Sequence, residues 1–406
     1  MGGEDTELIS DVPGLGGLRE RGGPVAQLEI PPQPSQKSGQ PHIPALDGLR
    51  GLAIALVLIT HLVQIEPVSR LDKIINQLTE ACRHGVDLFF VLSGFLITGI
   101  LLDTRSGSGY FRNFYGRRTL RIFPLYYASL FLVFVLLPAA GIVQPEQLRQ
   151  TEWALWTYCS NFVIALRHGW IYDSPSVRLS HFWSLAVEEQ FYLVWPFVIA
   201  LFSRRTVFKL CAALVLFAAL VRAFLASRGI PAISILVLTP CRVDTLAVGA
   251  MLAVLARRSG GLRALVVPAR WTMRGFLVLL PLSLWFKAIN ESAAQTINYS
   301  ILAFGFGSML VLSLLAPQGS WTNRVFTSPL LRSLGKYSYG IYVIHGMLIP
   351  AFDRMFGVSL LFQRIPNRYA DALLYFLAST TLSIAAALIS WNLFERHFLS
   401  LKKLFN

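Results

Sequence analysis

The chain has 406 residues, 54% of them hydrophobic and only 14% charged, with a mean hydropathy of +0.55. A soluble domain has roughly a quarter of its residues charged, so the composition excludes an ordinary soluble globular protein. The net charge of +14 would raise nucleic-acid binding in a soluble chain. Here the basic residues fall mainly between apolar runs, where they report topology and contact with anionic membrane lipids, so no nucleic-acid partner is expected.

Residues 1–42 are rich in Gly, Pro and Gln, as in "GGLRERGGP" and "IPPQPSQ". They read as a disordered cytoplasmic tail. They lack the basic start and apolar core of a secretory signal peptide. Residues 43–396 read as one all-α, polytopic transmembrane helix bundle, and 397–406 as a short basic cytoplasmic tail. Ten apolar segments are expected to span a bilayer: Pro44–Gln64, Gly85–Asp103, Arg121–Gly141, His181–Phe202, Val207–Ala226, Cys241–Ala256, Met273–Ile289, Ile297–Ala316, Ser338–Phe356 and Ala370–Glu395. The sixth is short, and apolar residues from Ser234 extend it past Pro240. Between the third and fourth, "EWALWTYCSNFVIAL" suits an interfacial or re-entrant helix, because its Trp and Tyr favour the head-group layer.

Basic residues orient the chain. "RSGSGYFRNFYGRR", "SRRTVFK", "RRSGGLRALVVPAR" and "RHFLSLKKL" share one side in this count, which predicts both termini in the cytoplasm and a multi-pass protein of the cell (inner) membrane. The cysteines Cys82, Cys159, Cys211 and Cys241 form no CxxC pair, so no metal site is expected. Cys82 and Cys159 either pair or stay free.

Ionisable groups at bilayer depth are costly unless paired or hydrated, so each is a functional candidate. Arg50, His61, Asp87, Glu188, Glu189, Arg222, Arg242, Asp244, His345 and Glu395 fall within or at the edges of spans. Some must be structural ion pairs, but the set implies a polar cavity. Arg50 and His61 lie eleven positions apart, about three helical turns and roughly 16.5 Å along one face. That face offers a cation for an anionic group and, farther along, an imidazole for proton transfer, since histidine titrates nearest neutral pH. A satisfied packing histidine is the plainer alternative. Arg118 and Arg121, three apart among aromatics in "YFRNFYGRRTLRIFPLYY", suit phosphates; their plainer role is anchoring at the membrane face.

The blocks "LDGLRGLAIALVLITHL", "GVDLFFVLSGFLI", "GRRTLRIFPLYY", "HFWSLAVEEQFYLVWP" and "SYGIYVIHG", in this order, resemble the acyltransferase-3 family of membrane acyltransferases. Its members include O-antigen, peptidoglycan and Nod-factor O-acetylases and macrolide acyltransferases. The resemblance implies transfer of an acyl group, commonly acetyl, from acyl-CoA to a hydroxyl of a carbohydrate or glycoside acceptor. It places the family's basic-x10-His motif on Arg50 and His61, and its Arg-x-x-Arg motif on Arg118 and Arg121. Asp87 and Glu188 match its acidic positions, Arg242 and Asp244 an Arg-x-Asp element, and Tyr342 and His345 its ninth-span pair. The expectation is therefore that His61 acts as base, with Asp87 and Glu188 supporting it. Arg50, Arg118 and Arg121 would hold the coenzyme, and Arg242, Asp244, Tyr342 and His345 would line the cavity. Direct transfer and an acyl-histidine intermediate both remain open. A transporter or flippase is the rival class, since it too needs intramembrane charge around a cavity, but neither internal symmetry nor matched broken helices are visible.

Overall fold

A computed structural model describes residues 43–63, 65–143, 149–287, 291–356 and 367–405, and these are almost entirely helical, with one isolated bridge between Asp173 and Arg178. The expected tail at 1–42 and the span ends at Gln64 and Ile289 lie outside the described residues.

The first span is α1 (Pro44–Leu62), begun by Pro44, whose fixed φ suits a first helical turn. A second helix, α2 (Arg70–Ala81), is amphipathic and starts from a reciprocal capping box between Ser69 and Asp72. The spans α3 (Gly85–Thr104) and α4 (Tyr110–Phe131) follow, and α4 runs into a π-helical turn at Leu132–Leu136. The expected interfacial stretch is two short helices, α5 (Glu152–Trp156) and α6 (Ser160–Arg167). They are separated where Tyr158 adopts a φ of 55°, a left-handed conformation that no helix continues through.

Next come α7 (Trp183–Leu201) and α8 (Arg204–Ser227), the latter capped by Ser203. The short sixth span does extend past its proline: α9 (Ala232–Val237) and α10 (Thr239–Leu255) meet at Leu238, which is extended just before Pro240 opens the new helix. The bundle continues with α11 (Val266–Lys287), α12 (Glu291–Leu314), the short α13 (Trp321–Phe326), α14 (Pro329–Phe356) and α15 (Arg368–Ser390).

Nine helical segments among the described residues are long and apolar enough to cross a membrane, which makes this a multi-pass membrane protein. The expected span without a counterpart among them is the ninth, Ser338–Phe356, which falls in α14, whose 28 residues reach about 42 Å. Its Lys336, His345, Asp353 and Arg354 make it too polar to stand among the nine. Instead of facing lipid, α14 packs along α1 more extensively than any other described pair of helices.

Two crossings fix the middle of the bundle, and both depend on glycine. An added Cβ on Gly51 would sit 1.9 Å from the Leu331 carbonyl oxygen, and one on Gly335 1.8 Å from that of Asp47. The α3–α10 crossing is reciprocal in the same way, with Gly94 against Leu246 and Gly249 against Val91. Small residues let backbones touch where lipid supplies no hydrophobic drive to hold helices together.

Candidate functional site

Two cavities open inside this bundle. The first, about 160 Å³, is lined by Arg50 of α1, Arg118 and Arg121 of α4, and Glu188 and Tyr192 of α7. The second, about 410 Å³, is lined by His61 at the far end of α1, by His84 and Asp87, by His181, by Arg242, and by His345 of α14. Val86 and Tyr342 line both, so the cavities share a wall. The eleven-residue spacing therefore works as expected, with one face of α1 serving both chambers.

In the first cavity, charge is left over. Arg50 donates from Nη1 to Asp47 at 3.1 Å. The Arg118 guanidinium lies 4.1 Å from the centroid of the Tyr192 ring, a cation–π contact, and its buried Nε has no hydrogen-bond partner. Glu188 accepts a 2.6 Å hydrogen bond from Ser93. Among the described residues no ion pair joins Arg118 or Arg121 to a carboxylate. The chamber is thus cationic and suited to an anionic group.

The second cavity holds a chain of hydrogen bonds whose directions can be worked out. His345 Nδ1 lies 3.0 Å from the Ile341 carbonyl oxygen, which can only accept, so Nδ1 carries the proton. In a neutral imidazole the other nitrogen is then an acceptor. His61 Nδ1 lies 3.0 Å from that His345 Nε2, so His61 Nδ1 must donate. The proton-free nitrogen of His61 is therefore Nε2. This is the tautomer of a base held ready by a partner, and the partner is another histidine rather than an acid.

Asp87 sits elsewhere in the network. It pairs with Arg242 and with His84 Nδ1, the latter at 2.9 Å, and Arg242 stacks 3.8 Å from the centroid of Tyr299. Arg242 and Asp244, expected as one pair, are divided. Two positions apart on a helix point in different directions, and Asp244 instead meets Arg222 at 2.8 Å with both side chains fully buried. Arg222 also donates to the carbonyls of Thr296 and Cys241 and to Ser300. Asp244 lines neither cavity; its place is structural. Tyr342 donates to the His181 carbonyl at 2.9 Å and lies 2.5 Å from Ser184 Oγ. All four cysteines are free thiols. Among the described residues no group of three or more His, Cys, Asp or Glu could hold a metal ion.

His84 and His181 were not among the expected site residues. Each had a signal: His84 is three positions before Asp87, on its helical side, and His181 opens the block that holds Glu188. Tyr299 had none, because its role comes only from the packing of α12 against α10.

A family model described as an acyltransferase domain matches residues 43–392, so the chain belongs to the acyltransferase-3 family that its motifs resemble. The peptidoglycan O-acetyltransferase OatA of Listeria monocytogenes is 28% identical over 332 residues, covering 76% of this chain and 49% of that protein. The O-acetyltransferase OatA of Staphylococcus aureus is 28% identical over 333 residues, covering 76% and 51%. The chain thus spans about half the length of the curated relatives it matches. No solved structure matches it.

Proposed function

We propose that this protein is an integral membrane O-acyltransferase that moves an acyl group, acetyl first among them, from acyl-CoA to a hydroxyl of a carbohydrate or glycoside. We place it in the cell (inner) membrane with both termini in the cytoplasm. The observation that carries the reading is the ordered chain His61–His345–Ile341, which leaves a lone pair on His61 Nε2 in a cavity next to one lined by three arginines, of which Arg118 and Arg121 are joined to no carboxylate by an ion pair among the described residues. In this reading Arg50, Arg118 and Arg121 hold the phosphates of the coenzyme, as guanidiniums do well. The acceptor enters the second cavity and gives its hydroxyl proton to His61 Nε2 as its oxygen attacks the thioester carbonyl. The carbon–sulfur bond breaks, and the departing thiolate takes up that proton, so an ester and the free thiol result. The acidic pair partners, Asp87 with Arg242 and Glu188 with Ser93, keep the walls of the two cavities in place.

The peptidoglycan named for the Listeria relative supports a cell-envelope glycan as acceptor. The test uses purified protein in vesicles, with labelled acetyl-CoA and soluble glycan or glycoside acceptors. The expected result is label on an acceptor hydroxyl, lost in His61→Ala. Passage of a lipid-linked sugar across the vesicle with no acyl transfer to any acceptor would overturn the reading in favour of a flippase.

A further inference from the structure

The residues after α15 do not trail away from the bundle. A π-helical turn at Trp391–Glu395 leads into α16 (Arg396–Ser400) and a 3₁₀ turn at Leu401–Leu404, and the last two pack on α4. Phe405 seats this strap. Its ring fills the space left by Gly116, where an added Cβ would come within 2.2 Å of it. The Arg112 guanidinium lies 5.7 Å from the centroid of that ring, and Arg117 Nε donates to the Phe405 carbonyl at 2.6 Å. With Phe405 fixed there, Lys402, one 3₁₀ turn earlier, falls beside the next turn of α4, which carries Arg118 and Arg121. The turn that carries Lys402 packs on α4, and this brings Lys402 within electrostatic reach of Arg121, Arg118, Arg117 and Arg50, all of its own sign. Among the described residues no ion pair joins Lys402 to a carboxylate.

Folding has therefore brought a flexible cation into a group of like charges that it could have avoided by pointing to solvent, as its neighbour Lys403 does. Such a cluster repels itself when empty and is relieved by an anion of matching charge. A single phosphodiester carries one negative charge. The nucleotide end of coenzyme A carries a diphosphate and a separate phosphate on the ribose, which matches a cluster spread over two elements far better.

We infer that the strap Arg396–Phe405 completes the donor site: Lys402, with Arg117, Arg118 and Arg121, binds the phosphate cluster of the coenzyme's nucleotide end. This rests on the donor reading above and adds a second element to it. The strap forms one jaw and α4 the other.

The test is titration of coenzyme A, and of coenzyme A lacking the ribose phosphate, against the full chain in nanodiscs of neutral and of anionic lipid. Lys402→Ala should weaken coenzyme A binding about tenfold, the scale of one charge-assisted contact. It should also shrink the preference for the coenzyme with its ribose phosphate. Lys402→Arg should restore affinity to within about threefold, and Lys403→Ala should bind like wild type, as expected when charge at one place is what matters. Wild-type affinity should be the same in both lipids. If wild type binds coenzyme A and Lys402→Ala binds it equally well, the strap has no part in the site and the inference fails alone. If Lys402→Ala loses only affinity for anionic lipid, the phosphate is a head group and the inference is overturned in that direction. If wild type binds no coenzyme A, the donor reading itself falls, and the inference with it.

Discussion

The two cavities lie side by side in one bundle and share Tyr342 as a wall, yet their electrostatics are opposite in kind. The first is unfinished: among the described residues no ion pair joins Arg118 or Arg121 to a carboxylate, and the buried Arg118 Nε has no acceptor. The second is finished around its histidines: His61, His345 and Ile341 form a chain in which each donor has its acceptor, and Asp87 is matched by Arg242 and His84, although Arg242 Nε and Nη1, stacked against Tyr299, have no acceptor of their own. Unfinished charge inside a membrane is costly, and in the proposed reading the coenzyme completes it. A finished network fixes tautomers and leaves one nitrogen for chemistry. In the proposed reading, binding and proton transfer thus occupy separate rooms.

The largest expected effect breaks this contrast at the finished side. His61→Ala should lower acyl transfer by about 10²–10⁴, the range for general-base help, while coenzyme A affinity in equilibrium titration stays at the wild-type level. Transfer within a factor of a few of wild type would remove His61 from the chemistry.

Next is Asp87→Asn, which leaves Arg242 buried beside a neutral partner. Breaking a buried pair in this way costs about 3–5 kcal/mol, so the midpoint of thermal unfolding in detergent should fall clearly. An unchanged midpoint would mean that the Asp87–Arg242 pair does not hold the wall of the second cavity.

Arg121→Ala tests the unfinished side. Losing one charge-assisted contact should weaken donor binding by about 1–3 kcal/mol with little change in the rate at saturating donor. Equal donor affinity in the purified variant would detach the arginines from the coenzyme.

The smallest effect sharpens the comparison most. An amide can accept from His61 and donate to Ile341, so His345→Gln should keep transfer within about tenfold of wild type, whereas His345→Ala should lose more than that. If the two variants are equally impaired, His345 does more than orient its neighbour, and the base moves to α14.

The fold was largely legible in the sequence because each span announces itself by length and apolarity. The weakest of those signals is informative: α14, read in the sequence as the ninth span, is more polar than the other spans because it carries site residues and is sheathed by α1. On the site, Arg50 with His61 and Arg118 with Arg121 could be read from spacing, since helical periodicity puts each pair on one face. The partner of His61 could not be read. It lies 284 positions away, and nothing in either segment states which helices will touch. The same holds for Arg222 and Asp244, whose bond follows from α8 packing on α10. Asp244 looked like a cavity residue because a buried acid beside a cavity-lining arginine has no visible partner until the other helix is in place.

The crossing of α1 and α14 has one more consequence. The backbones touch at Gly51 and Gly335, while the imidazoles they bring together meet at 3.0 Å farther along the same two helices. Together the helices behave as scissors riveted at the glycines, so a methyl group added at the rivet must splay the blades. A genetic screen for inactive alleles would therefore collect Gly51→Ala and Gly335→Ala alongside the histidine changes. Anyone mapping those alleles would find lost chemistry scored against residues that lie some turns away from the reacting atoms.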